Sequence, residues 1–365
     1  MKERKVVISG GGTAGHIYPA LAVGNKLKEK ESNLLLTYVG SSRSVEKEIM
    51  AHHKVNFIPL KIEGIKGRGL KTINSLLLLP CCFIKSLSIL LRLKPDLVIG
   101  VGGFSSGPIV LLASWMKIPT LILEQNLHPG FTNRILLPWV KKAVVSFRNS
   151  LPYFKGKGIF IGNPVRESFY HLPPKQRTSS LTLLIFGGSQ GSHFLNKAVT
   201  STLPLLDKEK DNLIIFHQTG EKDFEWVKAS YSQAGFDTAI VAPYFFEMAS
   251  YFQKSDLIIS RAGATTVAEL IASRKASLLI PFSQAAENHQ LFNARELERL
   301  QAAEVVLEEE FSAQLVADKI SYFLKKKEKI SQMESRLAQL QTENVAERIS
   351  DLCFELMRRK GVIGW

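Results

Sequence analysis

The chain has 365 residues, and at roughly 100 to 200 residues per domain this length predicts two domains. Hydrophobic residues make up 45% and charged residues 22% of the chain, which excludes an intrinsically disordered or a collagen-like protein. The three cysteines, Cys81, Cys82 and Cys353, are too few and too unevenly spaced for a disulfide framework or a metal knuckle, and a reducing cytoplasmic location fits them.

The net charge is +14, and all of the excess lies in the first half of the chain. Residues 1–165 hold 23 Lys and Arg against 8 Asp and Glu, whereas residues 166–365 hold 24 against 25. This asymmetry indicates that the first half meets an anionic partner, either nucleic acid or a phospholipid surface. The alternative is a basic surface that serves solubility alone.

No membrane-spanning or export segment is expected. The apolar run near the N-terminus, residues 6–8, is too short for a signal peptide. The longest apolar stretch, residues 73–93, contains Pro80, Lys85 and Arg92. A bilayer-spanning helix needs about 20 predominantly apolar residues, so this stretch is predicted not to span a membrane.

Short apolar runs alternate with helix-length segments along the whole chain, which predicts parallel sheets covered by helices on both faces. The predicted strands cover residues 5–9, 34–39, 97–101, 120–123, 142–146, 158–161, 181–186, 213–217, 238–241, 257–260 and 276–280. The clearest helical segments are residues 16–30, 189–203, 265–273 and 288–300. A linker is expected near residues 155–163. The charged helical stretch at residues 319–360 is expected to close the second domain and then return to the first.

The first strand is followed by Gly10-Gly11-Gly12-Thr13-Ala14-Gly15, which matches the G-x-G-x-x-G pattern of nucleotide-binding loops. The second strand ends without the carboxylate that a dinucleotide site uses to hold ribose, so only an NADP site at Arg43 remains as an alternative. His16 begins the next helix, where the positive helix end favours the neutral imidazole that a proton acceptor needs. The alternative is a loop histidine bonded to backbone.

Two further segments in the first half follow buried strands. Residues 100–108 hold four glycines, more than tight turning alone requires, and predict a loop that lets a ligand approach the backbone. Glu124, Gln125 and Asn126 lie at the carboxyl end of a strand and could bind sugar hydroxyls, although Asn126 could equally cap the next turn.

In the second half, the turn Gly187-Gly188-Ser189-Gln190-Gly191 offers backbone amides and the Ser189 hydroxyl at a predicted helix start, a geometry that suits phosphate. Arg166, near the predicted domain junction, could reach the same anion. Alternatively, it is a surface residue without a partner.

Glu269 has two competing interpretations. Thr266-x-x-Glu269 matches a capping box, in which the glutamate bonds back to the Thr266 amide. The carboxylate could instead accept two ribose hydroxyls. Residues 281–290 add several amide side chains after a buried strand, which suits a polyol or a simple polar loop.

Eight segments, in this order, closely resemble the MurG family of two-domain GT-B glycosyltransferases, which add N-acetylglucosamine to lipid I to make lipid II. They are residues 11–16, 100–108, 124–126, 162–166, 187–191, 217–220, 261–269 and 281–294. The resemblance implies two Rossmann-like domains whose parallel sheets face a central cleft. It implies an acceptor- and membrane-binding domain at residues 1–162, with a C-terminal helix at about 345–365, and a donor-binding domain at residues 163–344.

The resemblance also implies a reaction and its site. N-acetylglucosamine would move from UDP-N-acetylglucosamine to the C4 hydroxyl of the muramyl sugar of lipid I, with inversion, in peptidoglycan biosynthesis. The implied donor site consists of Asn126, Arg166, Ser189, Phe245, Ala264, Thr265, Thr266, Glu269 and Gln290. Thr13, Ala14, Gly15, Gly102 and Gly103 would form the acceptor diphosphate loop, and His16 would be the general base. This chain has Ala14 where many members have Gly, and His289 where some have Gln.

No cofactor is implied, and because the chain has no Asp-x-Asp pair, a tightly held catalytic metal is not expected. An apolar set, Ile73, Leu77, Phe83, Ile84 and Leu87, is predicted to dock on the inner face of the cytoplasmic membrane together with Lys85 and other nearby cations, each cation contributing roughly 1 kcal/mol. The alternative is that these apolar residues pack in the core. The competing functions are a GT-B transferase with another acceptor, an NADP-dependent oxidoreductase and a polynucleotide-binding protein.

Overall fold

The chain folds into two compact units. The computed structural model describes residues 3–11, 14–60, 71–176, 178–285, 288–340 and 344–359, and the side chains of residues 14, 44, 45, 71–79 and 359 lie outside that description. Unit 1 comprises Met1–Arg166 and Asn344–Trp365, and unit 2 comprises Glu167–Glu343. The division after Arg166 lies four residues beyond the boundary after residue 162 that the family resemblance implies.

Unit 1 is built on a seven-stranded parallel sheet in the order β3-β2-β1-β4-β5-β6-β7. Its strands are β1 (Lys5–Ser9), β2 (Leu35–Ser41), β3 (Phe57–Leu60), β4 (Leu97–Gly100), β5 (Thr120–Glu124), β6 (Lys142–Val145) and β7 (Gly158–Phe160). Its first five helices are α1 (Ala14–Lys30), α2 (Ser44–His52), α3 (Lys71–Leu93), α4 (Ser106–Trp115) and α5 (Phe131–Leu136).

Both faces of this sheet are covered. Val6 and Ile8 of β1 belong to one apolar cluster, which includes α1, while Val7 belongs to another, which includes α3 and α4. This alternation explains why the strands are apolar along their whole length.

Unit 2 is built on a six-stranded parallel sheet in the order β10-β9-β8-β11-β12-β13. Its strands are β8 (Leu181–Phe186), β9 (Leu213–Gln218), β10 (Ile240–Ala242), β11 (Leu257–Ser260), β12 (Ser277–Leu279) and β13 (Glu304–Val305). Its α-helices are α6 (His193–Thr202), α7 (Phe224–Gln233), α8 (Met248–Lys254), α9 (Ala264–Ser273), α10 (His289–Arg299), α11 (Ala313–Lys325) and α12 (Lys327–Leu340).

The charged C-terminal stretch forms α11, α12 and a last helix, α13 (Val345–Arg359), rather than one long helix. Val345, Ile349 and Cys353 of α13 are fully buried in the cluster that also holds α1 and β1. The last helix thus completes the core of unit 1, although the chain reaches it only after unit 2.

The predicted α/β class with parallel sheets is confirmed, and the differences are local. The sequence prediction omitted β3 and β13. Both are short strands at sheet edges, and because they are only partly buried, their sequences lack a long continuous apolar run. Helix α1 begins at Ala14, two residues before the predicted start at residue 16. Within the described parts of the chain, no helix combines the length and apolar character needed to cross a bilayer.

Candidate functional site

The strand orders create a switch point in each sheet. In unit 1, β1 and β4 are neighbours, and the successive strands are added outward on the β1 side as far as β3 and then on the β4 side as far as β7. In unit 2, β8 and β11 are neighbours in the same way. Open α/β sheets bind ligands at the carboxyl ends of the strands at such a point. The glycine-bearing segments after β1, β4, β8 and β11 lie at these two positions.

In unit 1, the loops after β1 and β4 pack directly on each other. Gly103 has φ +78°, and a Cβ added there would overlap the Gly11 carbonyl oxygen. The Val101 amide also donates to the Ser9 carbonyl at 2.8 Å. Contact between two backbones therefore accounts for glycine at Gly103, without the ligand that the sequence pattern alone had suggested.

His16 lies in the first turn of α1 and is half-buried against Gly102. A Cβ added at Gly102 would lie 2.8 Å from His16 Nε2 and 3.5 Å from Gln125 Oε1. The Gln125 amide is fixed by donating to the Val101 carbonyl at 3.0 Å. His16, Gly102 and Gln125 are thus brought together from three segments. Of the other predicted loop residues, Thr13 lies outside the described residues, and Ala14 and Gly15 open α1.

The sequence prediction overlooked a buried carboxylate near this loop. Glu46, in the first turn of α2, is 1% exposed and accepts hydrogen bonds from the Ser41 amide, at 3.1 Å, and the Ser41 hydroxyl. Its Oε1 would be overlapped by a Cβ at Gly11 or Gly40. The carboxylate of Glu46 therefore lies beside the end of β2, where it is bonded to Ser41 and packs against the backbone at Gly11 and Gly40. The sequence feature that could have indicated this carboxylate is an acidic residue in the first turn of the helix that follows β2.

Glu124 does not face a sugar site as the sequence suggested. It is 2% exposed, and its carboxylate accepts the Asn126 amide at 3.0 Å, the Gly130 amide at 2.9 Å and Asn133 Nδ2 at 2.8 Å. Burial raises the pKa of Glu124, and the donated hydrogen bonds oppose that shift. The carboxylate therefore fixes the turn that carries the half-buried Asn126.

Arg166 ends unit 1 and has a partner there. Its guanidinium carbon lies 3.9 Å from the centre of the Tyr18 ring. Tyr18 lies in α1, two residues after His16. Such cation–π stacking is worth about 0.5–2 kcal/mol. The interpretation of Arg166 as an isolated surface residue is therefore wrong.

In unit 2, the turn after β8 keeps its backbone accessible. The Gly191 amide donates to the Gly188 carbonyl at 3.1 Å, which closes the turn around Ser189. Gly188 has φ +100°, and among the described residues no heavy atom lies within 4 Å of where its Cβ would be. Helix α6 begins only at His193, with Ser192 as its N-cap, so Ser189 lies in the turn and not at the helix start as predicted.

Helix α9 excludes the capping box proposed for Glu269. The N-cap is Gly263, which has no side chain to cap the helix, and the helix begins at Ala264. Thr266 is therefore the third helical residue, and the Thr266-x-x-Glu269 spacing is not a capping box. Glu269 lies in the second turn, 6% exposed. Ala264, Thr265 and Thr266 form the first turn, where the helix dipole favours an anion.

The buried side chain of Arg261 links the turn after β11 to the end of the turn after β8 and also forms an ion pair with Glu308. Arg261, 6% exposed, donates from Nε to the Ser192 hydroxyl at 3.0 Å, and its NH2 lies 2.5 Å from Glu308 Oε1. Burial works to raise the pKa of Glu308, but bonds from Ser283 and the charge of Arg261 outweigh it and lower that pKa. Burial lowers the pKa of Arg261 despite this partner. The network holds the turn after β11 against the N-cap of α6.

Two other predicted donor residues already have partners within unit 2. The Phe245 backbone amide donates to the Gln218 side chain, at Oε1, over 2.8 Å, and the Phe245 ring stacks on Tyr251. Gln290 Oε1 accepts the Phe282 backbone amide at 3.0 Å. His217, one residue before Gln218, is fully buried between Tyr231 and Asn196, and burial lowers its pKa to about 3.

Comparison with known proteins gives a consistent result across the chain. Residues 6–145 match the glycosyltransferase family 28 N-terminal domain, and residues 182–349 match the family 28 C-terminal domain. The chain is 39% identical over 358 residues to the UDP-N-acetylglucosamine--N-acetylmuramyl-(pentapeptide) pyrophosphoryl-undecaprenol N-acetylglucosamine transferase of Syntrophus aciditrophicus, covering 97% of this chain and 99% of that protein. It is 37% identical to the enzyme of the same name from Myxococcus xanthus, covering 97% and 93%.

A solved structure agrees with these relatives. The crystal structure of Acinetobacter baumannii MurG superposes with a TM-score of 0.72 at 27% identity, covering 96% of this chain and 98% of that one. The GT-B architecture and the family resemblance inferred from eight sequence segments are thereby confirmed. The chain belongs to the MurG family of N-acetylglucosamine transferases, and its two units carry the N-terminal and C-terminal domains of glycosyltransferase family 28.

Proposed function

We infer that this chain transfers N-acetylglucosamine from UDP-N-acetylglucosamine to the C4 hydroxyl of the muramyl sugar of lipid I, producing lipid II and UDP. The observation that carries this function is the 39% identity over nearly the whole length of a relative named for that transfer. The alternatives of an NADP-dependent oxidoreductase and a polynucleotide-binding protein receive no support from these relatives.

Each unit is assigned one substrate. Unit 2 takes the donor, because its switch point combines the accessible turn at Gly188, the first turn of α9 and the buried carboxylate of Glu269. Unit 1 takes the lipid-linked acceptor, because its switch point holds His16 beside Gly102 and because the excess positive charge lies in this half. The donor diphosphate lies against Ser189 and the start of α9, and Glu269 accepts the two ribose hydroxyls.

Transfer with inversion needs a base for the attacking hydroxyl and stabilisation for the leaving diphosphate. His16 acts as the base at the carboxyl end of β1 in unit 1. In unit 2, Gln290 contacts the transferred sugar, and backbone amides of the Gly188 turn and the α9 terminus stabilise the charge that develops on UDP. No metal or cofactor enters this scheme.

The function is tested by supplying UDP-N-acetylglucosamine together with lipid I or a short-chain analogue and measuring the disaccharide product and UDP. Formation of both in equal amounts supports the assignment. Release of UDP at the same rate without an acceptor, or transfer only to other lipid acceptors, would contradict it.

Glu269 gives a direct test of the donor site. The substitution Glu269→Gln is expected to weaken UDP binding by about 1.5–3 kcal/mol, since it removes a charged acceptor of two hydrogen bonds. Isothermal titration with UDP measures the loss, and Glu225→Gln on the exposed face of α7 is the matched control. Unchanged UDP affinity with a lowered melting temperature would show that Glu269 serves only the packing of unit 2.

The membrane-facing surface of unit 1 is proposed to be broader than the α3 residues named from the sequence. Ile73 and Leu77 lie in the part of α3 whose side chains are not described, Phe83 is half-buried, and Lys85 donates to the Pro59 carbonyl at 2.8 Å. Among the α3 side chains that the structure describes, the large exposed apolar ones are Ile84, Leu87 and Leu91.

Aromatic residues extend this surface, because α4 packs against both α3 and α5. Trp115 and Trp139 are 55% and 53% exposed, and their rings meet edge to face at 5.9 Å. Phe131 and Ile135 of α5 are exposed as well. Tryptophan beside cations is typical of the membrane interface. We therefore propose that this face docks unit 1 on the anionic inner leaflet of the cytoplasmic membrane.

Replacing Trp115 and Trp139 together with alanine is expected to reduce binding to vesicles of phosphatidylglycerol and phosphatidylcholine by about tenfold, because both side chains lose apolar burial in the bilayer. Vesicle sedimentation measures the bound fraction. Tyr322→Ala, which removes a comparably exposed aromatic side chain from unit 2, is the control. Equal binding of the double variant and the wild type would exclude this face.

A further inference from the structure

One buried amide lies between two loops of unit 2. Gln218 is the last residue of β9 and is 1% exposed. In the sheet it is paired with Phe186 of β8 on one side and with Ala242 of β10 on the other. The loops that follow these two neighbouring strands carry Gly188 and Phe245. Gln218 is therefore placed at the carboxyl edge of three strands at once.

Both ends of the Gln218 amide are bonded to the backbone of those loops. Oε1 accepts the Phe245 amide at 2.8 Å, and Nε2 donates to the Gly188 carbonyl at 3.0 Å. A backbone N–H can only donate and a carbonyl can only accept, so the amide has a single orientation that satisfies both. The Gly188 carbonyl also accepts the Gly191 amide, so its two lone pairs are both used.

The residues after Gln218 hold the same two loops together. The Thr219 amide donates to the Ala242 carbonyl and the Gly220 amide to the Pro243 carbonyl, both at 3.0 Å. On the other side, a Cβ at Gly191 would overlap the Thr219 carbonyl oxygen. The turn after β8 and the loop after β10 are thus packed against one short segment, and Gln218 is its bridging side chain.

We propose that Gln218 is a positioning residue for the donor: it sets the distance between the backbone at Phe245, which the family resemblance assigns to the uracil, and the Gly188 turn, which is assigned to the diphosphate. This inference rests on the proposed function of unit 2 as the UDP-sugar site. Gln218 itself does not touch the donor. Its hydrogen bonds fix the separation of the two loops before the donor binds, so that UDP contacts both loops without the cost of ordering them.

The first test compares UDP with uridine. In Gln218→Leu, the Phe245 amide and the Gly188 carbonyl lose a buried partner, so the loops no longer hold a fixed separation. UDP affinity is expected to fall about tenfold or more, and uridine affinity by a smaller factor, because uridine engages only one of the two loops. Isothermal titration measures the affinity for both ligands. In steady-state kinetics, the KM for UDP-N-acetylglucosamine is expected to rise by a larger factor than kcat falls.

Tyr231→Phe is the matched control. It removes the hydroxyl that lies 3.0 Å from Nδ1 of His217, the residue before Gln218. This hydrogen bond is as buried as those of Gln218, but it involves neither of the two loops. Its UDP affinity is expected to stay within about twofold of the wild type even if its melting temperature falls as far as that of Gln218→Leu.

Gln218→Glu provides a second test that does not depend on the leucine variant folding. A protonated glutamate has an O–H that can donate to the Gly188 carbonyl, whereas the carboxylate cannot. The UDP affinity of this variant, expressed relative to the wild type at each pH, is therefore expected to recover as pH falls.

The outcomes separate the two claims. UDP affinity within twofold of the wild type in Gln218→Leu, equal losses for Tyr231→Phe, or a pH-independent ratio for Gln218→Glu would each overturn the positioning role. Failure of the wild-type chain to bind UDP would instead overturn the proposed function.

Discussion

Replacement of His16 with alanine is expected to lower turnover by about 10²- to 10⁴-fold, the usual contribution of a general base. His16 lies at the switch point of unit 1, where the loops after β1 and β4 meet, and its Nε2 faces Gly102. Removing the imidazole leaves the acceptor hydroxyl without a proton acceptor, but it changes nothing in unit 2. UDP affinity, measured by titration, should therefore remain that of the wild type.

The control for this variant is His52→Ala, which removes an exposed histidine at the end of α2. It should keep full activity. Turnover of His16→Ala within about tenfold of the wild type would reject His16 as the base. A rate loss accompanied by an equal loss of UDP affinity would also reject it, because a base on the acceptor unit acts on the chemical step.

Glu308→Gln is expected to lower the free energy of unfolding by about 3 kcal/mol, because it leaves the buried guanidinium of Arg261 without a counter-charge. The side chains of Arg261 and Glu308 are only 7% and 12% exposed. The same change loosens the link between Arg261 and Ser192, so UDP affinity should decrease as well. Denaturant unfolding measures the first effect and titration with UDP the second.

The pH dependence of this variant has a definite sign. Because the pKa of Glu308 is lowered from its usual 4.5, its carboxylate stabilises the folded state above that pH, and the stabilisation is lost as pH falls through the lowered value. The stability difference between the wild type and Glu308→Gln should therefore shrink in acid. Glu309→Gln, on an exposed neighbour, is the control and should change stability by less than about 0.5 kcal/mol. A constant difference across this pH range would show that the ion pair is not responsible.

The sequence was a good guide to the fold because apolar runs in buried parallel strands leave a strong local pattern. Strands β1, β8 and β11 have the predicted bounds. The edge strands β3 and β13 were missed because they are short and partly exposed. Helix starts were misjudged where no polar cap marked them, as at Ala14, and where the turn itself was rich in polar residues, as before His193.

The interpretation of individual polar residues depended on contacts that spacing cannot show. Thr266 and Glu269 have the spacing of a capping box, but α9 begins two residues before Thr266, which only the folded backbone reveals. The place of Glu124 after a strand leaves a sugar contact possible. In the structure its carboxylate instead accepts three hydrogen bonds from the following turn, at Asn126 and Gly130, and one from Asn133 of α5.

The sequence by itself determined the α/β class, the two-domain organisation, the family and the segments to which the chemistry is assigned, because local patterns of apolar runs, glycines and ordered motifs indicate each of these. Only the tertiary structure decided which loops share a switch point, that Gly103 is shaped by a neighbouring backbone, and that Gln218, Glu46 and the Arg261–Glu308 pair hold those loops. These relations depend on strand order and on contacts between residues far apart in the chain, and no local pattern encodes them.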